Sequence, residues 1–330
     1  MRAFVTGGTG FVGRAVIELL RARGDAVTAL VRDPERAKAL LGTGVELVRG
    51  DLTGSPPAAS VLAGHDVLIH TACARKATFA SGADSAAAFT AVNTEGTRAL
   101  ARAWREVATG RFVHLSSTAA MGTPRQLPVT EDDPCHPATP YGRSKYEAEH
   151  ALIELAKEGL ACVILRPCLI TGAGKEGGEV STMLSLIERG RFPLIIGKER
   201  VRKPLVHVSD VARAVLLAAE QGKPGGTYLI TSGTEYPLED VVTTAAGLLG
   251  GRKGYISLPA LPVTIAARVL GQINRWTGLA VPLTSERLEL FMADRTYSID
   301  RARKDLGYSP QVTDLTTMLE GSVKEYRAAR

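Results

Sequence analysis

Cysteine is scarce in this chain of 330 residues, which has only Cys73, Cys135, Cys162 and Cys168. None forms a Cys-x-x-Cys pair or stands near paired histidines in a zinc pattern, and no disulfide framework can be read from them. Cys162 and Cys168 flank an apolar run and read as small buried hydrophobes. The histidines, His70, His114, His136 and His150 among them, show no metal spacing. No run of about 18 apolar residues occurs, so no membrane-spanning helix is predicted. No secretory signal is visible, because Met1 to Thr6 enters a strand at once, and a reducing cytoplasm is the expected location. Internal repeats and low-complexity linkers are absent. The basic residues are scattered rather than gathered into a run, which argues against a nucleic-acid partner.

The remaining composition is that of a soluble globular protein, 45% hydrophobic and 22% charged. The net charge of +6 and isoelectric point near 9.2 suit a solvated basic surface or an anionic phosphate ligand equally. In the first half, short apolar runs alternate with helical patterns. Strands are predicted at 2–6, 26–31, 45–48, 66–70, 111–116 and 161–165, and helices at 11–23, 93–107 and 141–158. This alternation predicts a doubly wound parallel sheet with helices on both faces. The second half is less regular, with a helix over 210–221, a strand over 227–230, and helices over 238–249 and 314–327. The expected division is a dinucleotide-binding domain over 1–171 with parts of 205–232. A smaller α/β substrate region then covers 172–204 and 233–330.

The first turn carries chemistry. Thr6-Gly-Gly-Thr-Gly-Phe-Val-Gly13 follows the first strand and opens the first helix. Gly7, Gly10 and Gly13 give Gly-x-x-Gly-x-x-Gly, which permits a tight turn and close backbone approach to a pyrophosphate at a helix N-terminus. After the second strand comes Arg32-Asp33-Pro34. Arg32 would accept a ribose 2′-phosphate and so favours NADP(H). Asp33 would serve the opposite choice, NAD, or cap a helix starting at Pro34. Asp51, after the third strand, is placed to accept from an adenine amine or to serve as a turn residue.

Tyr141 and Lys145 stand four residues apart in Pro140-Tyr-Gly-Arg-Ser-Lys145, one turn apart on one face if this stretch opens a helix. A cation beside a phenol stabilises phenolate, so the pair is suited to proton transfer. The spacing alone is common on solvated helix faces and draws its meaning from the glycine turn.

Together these motifs resemble the extended short-chain dehydrogenase/reductases of the NAD-dependent epimerase/dehydratase superfamily, and the resemblance covers nearly the whole chain. Thr6 to Gly13 resembles the family's glycine motif. His70-Thr-Ala72 resembles the segment that lines the cofactor, and Asn93-Thr-Glu-Gly-Thr97 the Asn-x-x-Gly-Thr motif. Leu115-Ser-Ser-Thr118 resembles the serine-bearing strand end, and Arg166-Pro167 with Thr171-Gly172 the turn after the sixth strand. Val206 to Ala212 resembles the late motif of extended members. Cys73 replaces a usual alanine, and Met121-Gly122 replaces the Val-Tyr-Gly common in nucleotide-sugar enzymes, which makes a sugar-nucleotide substrate less expected.

The resemblance implies a Rossmann-type fold and a division of roles. Tyr141 is the general acid/base, Lys145 supports it and binds the nicotinamide ribose, and Ser117 orients the substrate oxygen, with Ser116 and Thr118 as alternatives. The implied cofactor contacts are Gly7, Thr9, Gly10, Phe11, Val12, Arg32, Asp51, Leu52, Thr71, Ala72, Tyr141, Lys145 and Pro167. Arg166 is expected to brace the cofactor domain. Asp210, in the late motif, is expected to start a helix and pack the second region. No metal is expected. The cofactor is NADP or NAD, and a homodimer through the helices near Asn93 and Tyr141 is implied.

The aliphatic stretch from Leu258 to Leu283 reads as a lid over a greasy substrate, as core, or as a peripheral membrane contact. A C-terminal segment from Arg295 to Pro310 resembles members acting on lipophilic alcohols and ketones, of the 3β-hydroxysteroid dehydrogenase and β-keto acid reductase kinds, and Leu30 to Pro34 resembles the dihydroflavonol reductase branch. The expected activity is interconversion of a secondary alcohol and a ketone on a lipophilic small molecule. Two alternatives stand: an NAD-dependent nucleotide-sugar epimerase or dehydratase, and a non-catalytic dinucleotide sensor.

Overall fold

Six predicted apolar runs become the six leading strands of one parallel sheet, with boundaries moved by no more than two residues. They are β1 (Arg2–Thr6), β2 (Ala26–Val31), β3 (Glu46–Arg49), β4 (Val67–His70), β5 (Arg111–Leu115) and β6 (Cys162–Pro167). In this computed structural model the residues described are 1–54, 56–74, 83–107, 110–123, 126–174, 179–196, 201–251, 254–259 and 294–330, with positions 263 and 265. Most of the predicted aliphatic stretch from Leu258 to Leu283 therefore lies outside the described residues.

A seventh parallel strand, β10 (Thr227–Ile230), joins β6, and the sheet order is β10-β6-β5-β4-β1-β2-β3. The order reverses between β1 and β4, the crevice where doubly wound sheets bind ligands at their carboxyl ends. Strands buried on both faces explain the near-continuous apolar runs, such as Ala3 to Val5, all without exposed surface.

Helices α1 (Phe11–Ala22) and α8 (Val208–Gln221) cover one face, where Val16, Ile17 and Leu20 meet Val211, Val215 and Leu216. The other face is covered by α3 (Ala59–Leu62), α5 (Thr97–Val107) and α6 (Pro140–Lys157), with Leu100, Trp104, Leu152 and Leu155 in its core. Each fully buried aliphatic contributes about 1.5–3 kcal/mol. The helix predicted from Asn93 in fact begins at Ala83 and is three joined pieces. Regular α4 (Ala83–Phe89) and α5 flank a π-helical stretch, Thr90–Gly96. That wide stretch holds Asn93 and Thr94, whose side chains both leave the helix to bond α6. Such π turns are frequent at functional sites.

The second half forms smaller sheets that the sequence pattern does not announce. β7 (Leu169–Thr171), β9 (Arg202–His207) and β11 (Glu235–Pro237) form one, and β8 (Phe192–Ile196) with β12 (Tyr255–Pro259) the other. Helices α7 (Glu179–Glu188), α9 (Leu238–Leu248) and α11 (Leu315–Ala328) enclose a separate core around Leu184, Val242 and Leu319. The short α10 (Asp300–Leu306) ends at Gly307 in the left-handed conformation, φ 63°, which turns Tyr308 into the core under the main sheet.

Asp210 connects these parts. It lies on the first turn of α8 without exposed surface, accepts from Arg213, and takes the backbone N–H groups of Gln311 (2.9 Å) and Val312 (3.0 Å). Replacing Asp210 with alanine takes the acceptor from both N–H groups and from Arg213 at once, so a loss of roughly 1–3 kcal/mol is expected, with a smaller one for Asp210→Asn. Urea unfolding of the two variants checks this.

Candidate active site

The turn after β1 is shaped for an anion. Gly7 has φ +73°, and a side chain there would press to 2.5 Å from the Ala72 backbone nitrogen. A Cβ on Gly13 would sit 2.2 Å from the Gly7 carbonyl oxygen. The glycines thus let the turn, the start of α1 and the chain after β4 meet without intervening side chains. Thr71 seals the junction, donating its N–H (3.1 Å) and its hydroxyl (2.8 Å) to the Thr6 carbonyl. The N-terminus of α1 at Gly10 has no side-chain cap and no acidic residue in its first turn. Its N–H groups and dipole suit a pyrophosphate, so the residues present fit a dinucleotide. Phe11 and Val12 are buried in the core beneath the turn, and Thr9 is exposed.

At the far end of the crevice Asp33 is engaged as the cap of α2 (Pro34–Leu41), accepting from the Arg36 N–H at 3.1 Å. Arg32 beside it is exposed. Asp51 accepts from the Thr53 N–H at 3.0 Å, and that bond, aided by the Arg32 charge, holds its carboxyl below the usual range. Leu52 is half-buried, close to Gly96 of the π stretch. Pro167 closes β6 and is buried.

The ends of β4 and β5 carry a buried polar cluster. His70 bonds Thr6 Oγ1 through Nδ1 at 2.6 Å and Thr97 Oγ1 through Nε2 at 2.8 Å. Its ring stacks on His114 with centroids 5.3 Å apart. Burial, helped by the Lys145 charge, pushes His70 down to about 3 and holds His114 well below the ordinary imidazole range, so both are neutral. Neither ring nitrogen of His114 has a hydrogen-bond partner among the described residues.

The helix α6 begins at Pro140, one residue before the predicted start at Tyr141. Thr139 caps it, accepting from the Gly142 N–H at 3.0 Å. Gly142 is packed so closely on the Ala119 carbonyl that a Cβ would come within 2.4 Å. That carbonyl belongs to a short 3-10 turn, Thr118–Ala120, capped by Ser117. The start of α6 and the turn bearing Ser117 are therefore in contact. Lys145, 2% exposed, donates to the Leu115 carbonyl at 2.6 Å, two residues before Ser117. Burial lowers its pKa, while Cys73 and Glu149 act to raise it. Tyr141 is half-buried with its ring edge-on to Phe89 at 5.7 Å.

Of the three hydroxyls at the end of β5, Ser116 is buried and committed to Glu149. Thr118 is buried and meets the hydroxyl of Tyr297. Ser117 is half-buried, and its oxygen accepts from the Ala119 N–H at 3.1 Å. Asn93 ties the site's two helices together, accepting from the Ala74 N–H (2.8 Å) and donating to Ser144 Oγ (3.0 Å). His207 accepts from the Ser209 N–H and caps α8. Beside the Ser117 turn lies a cavity of about 190 Å³ lined by Met121, Gly122, Val129, Pro134 and Tyr297 among others. Among the described residues no His, Cys, Asp and Glu group could hold a metal ion.

Fold and site together define an NAD-binding enzyme of the extended short-chain dehydrogenase/reductase type. The sequence model of the NAD dependent epimerase/dehydratase family matches residues 3–231, and the chain belongs to that family. It is 32% identical over 320 residues to the 4-hydroxy-2-methyl-3-oxo-4-farnesyl-3,4-dihydroquinoline-1-oxide ketoreductase of Stigmatella aurantiaca, covering 95% of this chain and 93% of the relative. It is 27% identical over 338 residues to a 3-beta-hydroxysteroid dehydrogenase of Mycolicibacterium neoaurum, covering 97% and 90%. Among solved structures it is similar to gox2253, with a TM-score of 0.84, 27% identity and coverage of 99% and 98%.

The sequence reading passed over Glu149, Tyr297 and the paired imidazoles. Glu149 did carry a signal, because it repeats the four-residue spacing from Lys145.

The neutral histidines make acid stability testable. Their folded pKa values lie below the unfolded value near 6.5, so the unfolded chain binds more protons below that pH. Their contribution is therefore fully present above pH 6.5 and is lost as pH falls below it, for His70 down to about 3, by up to about 1.4 kcal/mol per pH unit for each ring. Urea unfolding at pH 7 and pH 5 should show a marked loss in the wild type and a smaller one in His114→Leu.

Proposed function

We propose that the protein is an NADP(H)-preferring oxidoreductase that interconverts a secondary alcohol and a ketone on a lipophilic substrate. The observation that carries this reading is the contact between the start of α6, bearing Tyr141 and Lys145, and the turn capped by Ser117. A bound nicotinamide supplies or takes up the hydride. In reduction Ser117 donates a hydrogen bond to the carbonyl oxygen and fixes its direction. Tyr141 gives its hydroxyl proton to that oxygen as the carbon accepts the hydride. The phenolate left behind is stabilised by the Lys145 ammonium and recovers a proton from solvent. Oxidation runs the same steps backwards.

The exposure of Arg32 supports the NADP(H) preference, because its guanidinium can meet a 2′-phosphate while Asp33 serves α2 as a cap through Oδ1. Two similar proteins are named for a farnesylated 3-oxo compound and a 3β-hydroxysteroid, both lipophilic. The cavity beside Ser117, with Met121, Val129, Pro134 and Tyr297 alongside Thr123, Gln126 and Asp133 in its wall, offers an apolar face to part of such a substrate. We also propose the division into a dinucleotide-binding part over 1–171 with parts of 205–232 and a substrate part elsewhere, a homodimer, and a cytoplasmic location. Among the described residues no helix is long and apolar enough to cross a membrane. The family name favours one second reading, a nucleotide-sugar epimerase, which would turn over UDP-sugars without net change in nicotinamide absorbance.

Tyr141→Phe is expected to lower kcat by about 10²–10⁴-fold while NADPH binding changes little. Steady-state turnover of a farnesylated quinolone ketone and a 3β-hydroxysteroid, with fluorescence titration of NADPH, checks this; full activity in Tyr141→Phe would remove Tyr141 as the acid/base, and nucleotide binding without turnover in the wild type would favour a non-catalytic sensor. Arg32→Ala should weaken NADPH binding roughly tenfold and leave NADH within about twofold, as expected for one lost charge-assisted contact. Equal effects on both nucleotides would remove the argument for NADP(H).

A further inference from the structure

Glu149 follows Lys145 by one helical turn on α6, so Tyr141, Lys145 and Glu149 repeat along one face. It is 1% exposed. Ser116 donates its hydroxyl to this carboxylate. Arg166 on β6 closes on both of its oxygens, with Nε at 3.1 and 3.2 Å and Nη2 at 2.7 Å. Ser116 also donates its N–H to the Leu165 carbonyl at 2.7 Å, beside Arg166. Three consecutive residues at the end of β5 thus have three different assignments. The Leu115 carbonyl takes Lys145, Ser116 takes Glu149, and Ser117 caps the turn beside Tyr141.

A buried ion pair is weak support for stability, since apolar replacements of similar volume are often as good. This pair lies directly behind the proton-transfer groups, which gives it another use. We propose that Glu149 is a positioning residue for the Tyr141–Lys145 pair. It locks the end of β5 to α6 through Ser116 and Arg166, and it supplies the carboxylate that keeps the desolvated Lys145 ammonium charged. The inference rests on the reading of Tyr141 and Lys145 given above.

The groups facing Lys145 from the surrounding elements fit this role. His70 on β4 and His114 on β5 are neutral and bring no anion. Cys73, after β4, and Glu149 are the two groups that act to hold the proton on Lys145 against burial. Tyr141 precedes it on its own helix, and Arg166 stands behind Glu149. Without the carboxylate Lys145 would lose its proton at lower pH. The alkaline limb of activity, where that charge is needed, would move to lower pH with it.

The test follows Lys145 itself, by NMR titration of [13C-ε]lysine in the full chain saturated with NADPH, its resonance assigned by its disappearance in Lys145→Met. In Glu149→Gln, which keeps an acceptor for Ser116, the midpoint is expected to fall by about one pH unit. Glu149→Asp should recover at least half of that shift. If Glu149→Gln does not accumulate as folded protein, Glu149→Gln/Arg166→Met removes both charges together and should still shift the midpoint downward. A midpoint unchanged in the folded variant overturns the inference, even if turnover falls evenly at all pH values. An inactive Tyr141→Phe alongside that result leaves the proposed reaction standing. A fully active Tyr141→Phe overturns the reaction and the positioning role together.

Discussion

One buried ammonium organises the carboxyl edge of this sheet. An isolated charge in a protein interior is expensive, so its surroundings must supply hydrogen bonds and an opposite charge. Lys145 has the Leu115 carbonyl as acceptor, and Glu149 one turn along its own helix acts to keep it protonated. Burial first, and the same charge after it, disfavour protonation of the two imidazoles. His70 therefore acts as a neutral link between Thr6 on β1 and Thr97 on α5. The ends of β1, β4 and β5 and the helices α5 and α6 are held in one hydrogen-bonded unit around it.

That unit coincides with the reversal of strand order. Because β1 and β4 are neighbours whose connections leave in opposite directions, a crevice opens above them. Gly7 and Gly13 bring backbone rather than side chains to its wall. The π stretch in the helix before α5 sends Asn93 to Ala74 on one side and Ser144 on the other. The proposed chemistry needs a nicotinamide, a phenol and a hydroxyl to converge. The topology provides that convergence by ending β4, β5 and β6 on the same edge, with α6 beginning above them.

Features written in local sequence were legible, and those made by distant pairing were not. The glycine turn, the Tyr141–Lys145 spacing and the strands 2–6, 26–31 and 227–230 are short-range patterns, and each element appears where it was expected. Asp33 as the cap before Pro34 was among the alternatives for the same reason, since cap and proline are adjacent. The small sheets were missed because β7 and β11 have three residues each. Polar positions such as Lys203 also interrupt the apolar period of β9. Glu149 and Arg166 are 17 residues apart in sequence, and His70 and His114 lie on separate strands. Nothing short-range announces that either pair will meet.

The same distinction bears on what the C-terminal segment says about substrate. Its Leu306-Gly307-Tyr308 run looks like a family signature, yet each residue has a local structural task. Leu306 is buried in the core, Gly307 supplies the left-handed turn, and the Tyr308 hydroxyl donates to the Thr231 carbonyl at 3.0 Å. A run with those tasks would be kept whatever the enzyme acted on, so it carries no information about substrate. Tyr297, a few residues earlier, is different. It is buried among Met121, Val129 and Leu229, its hydroxyl meets Thr118 in the turn capped by Ser117, and it forms part of the cavity wall. Substrate discrimination is therefore better sought where Tyr297 meets the Met121–Gly122 turn than in the signature that follows it.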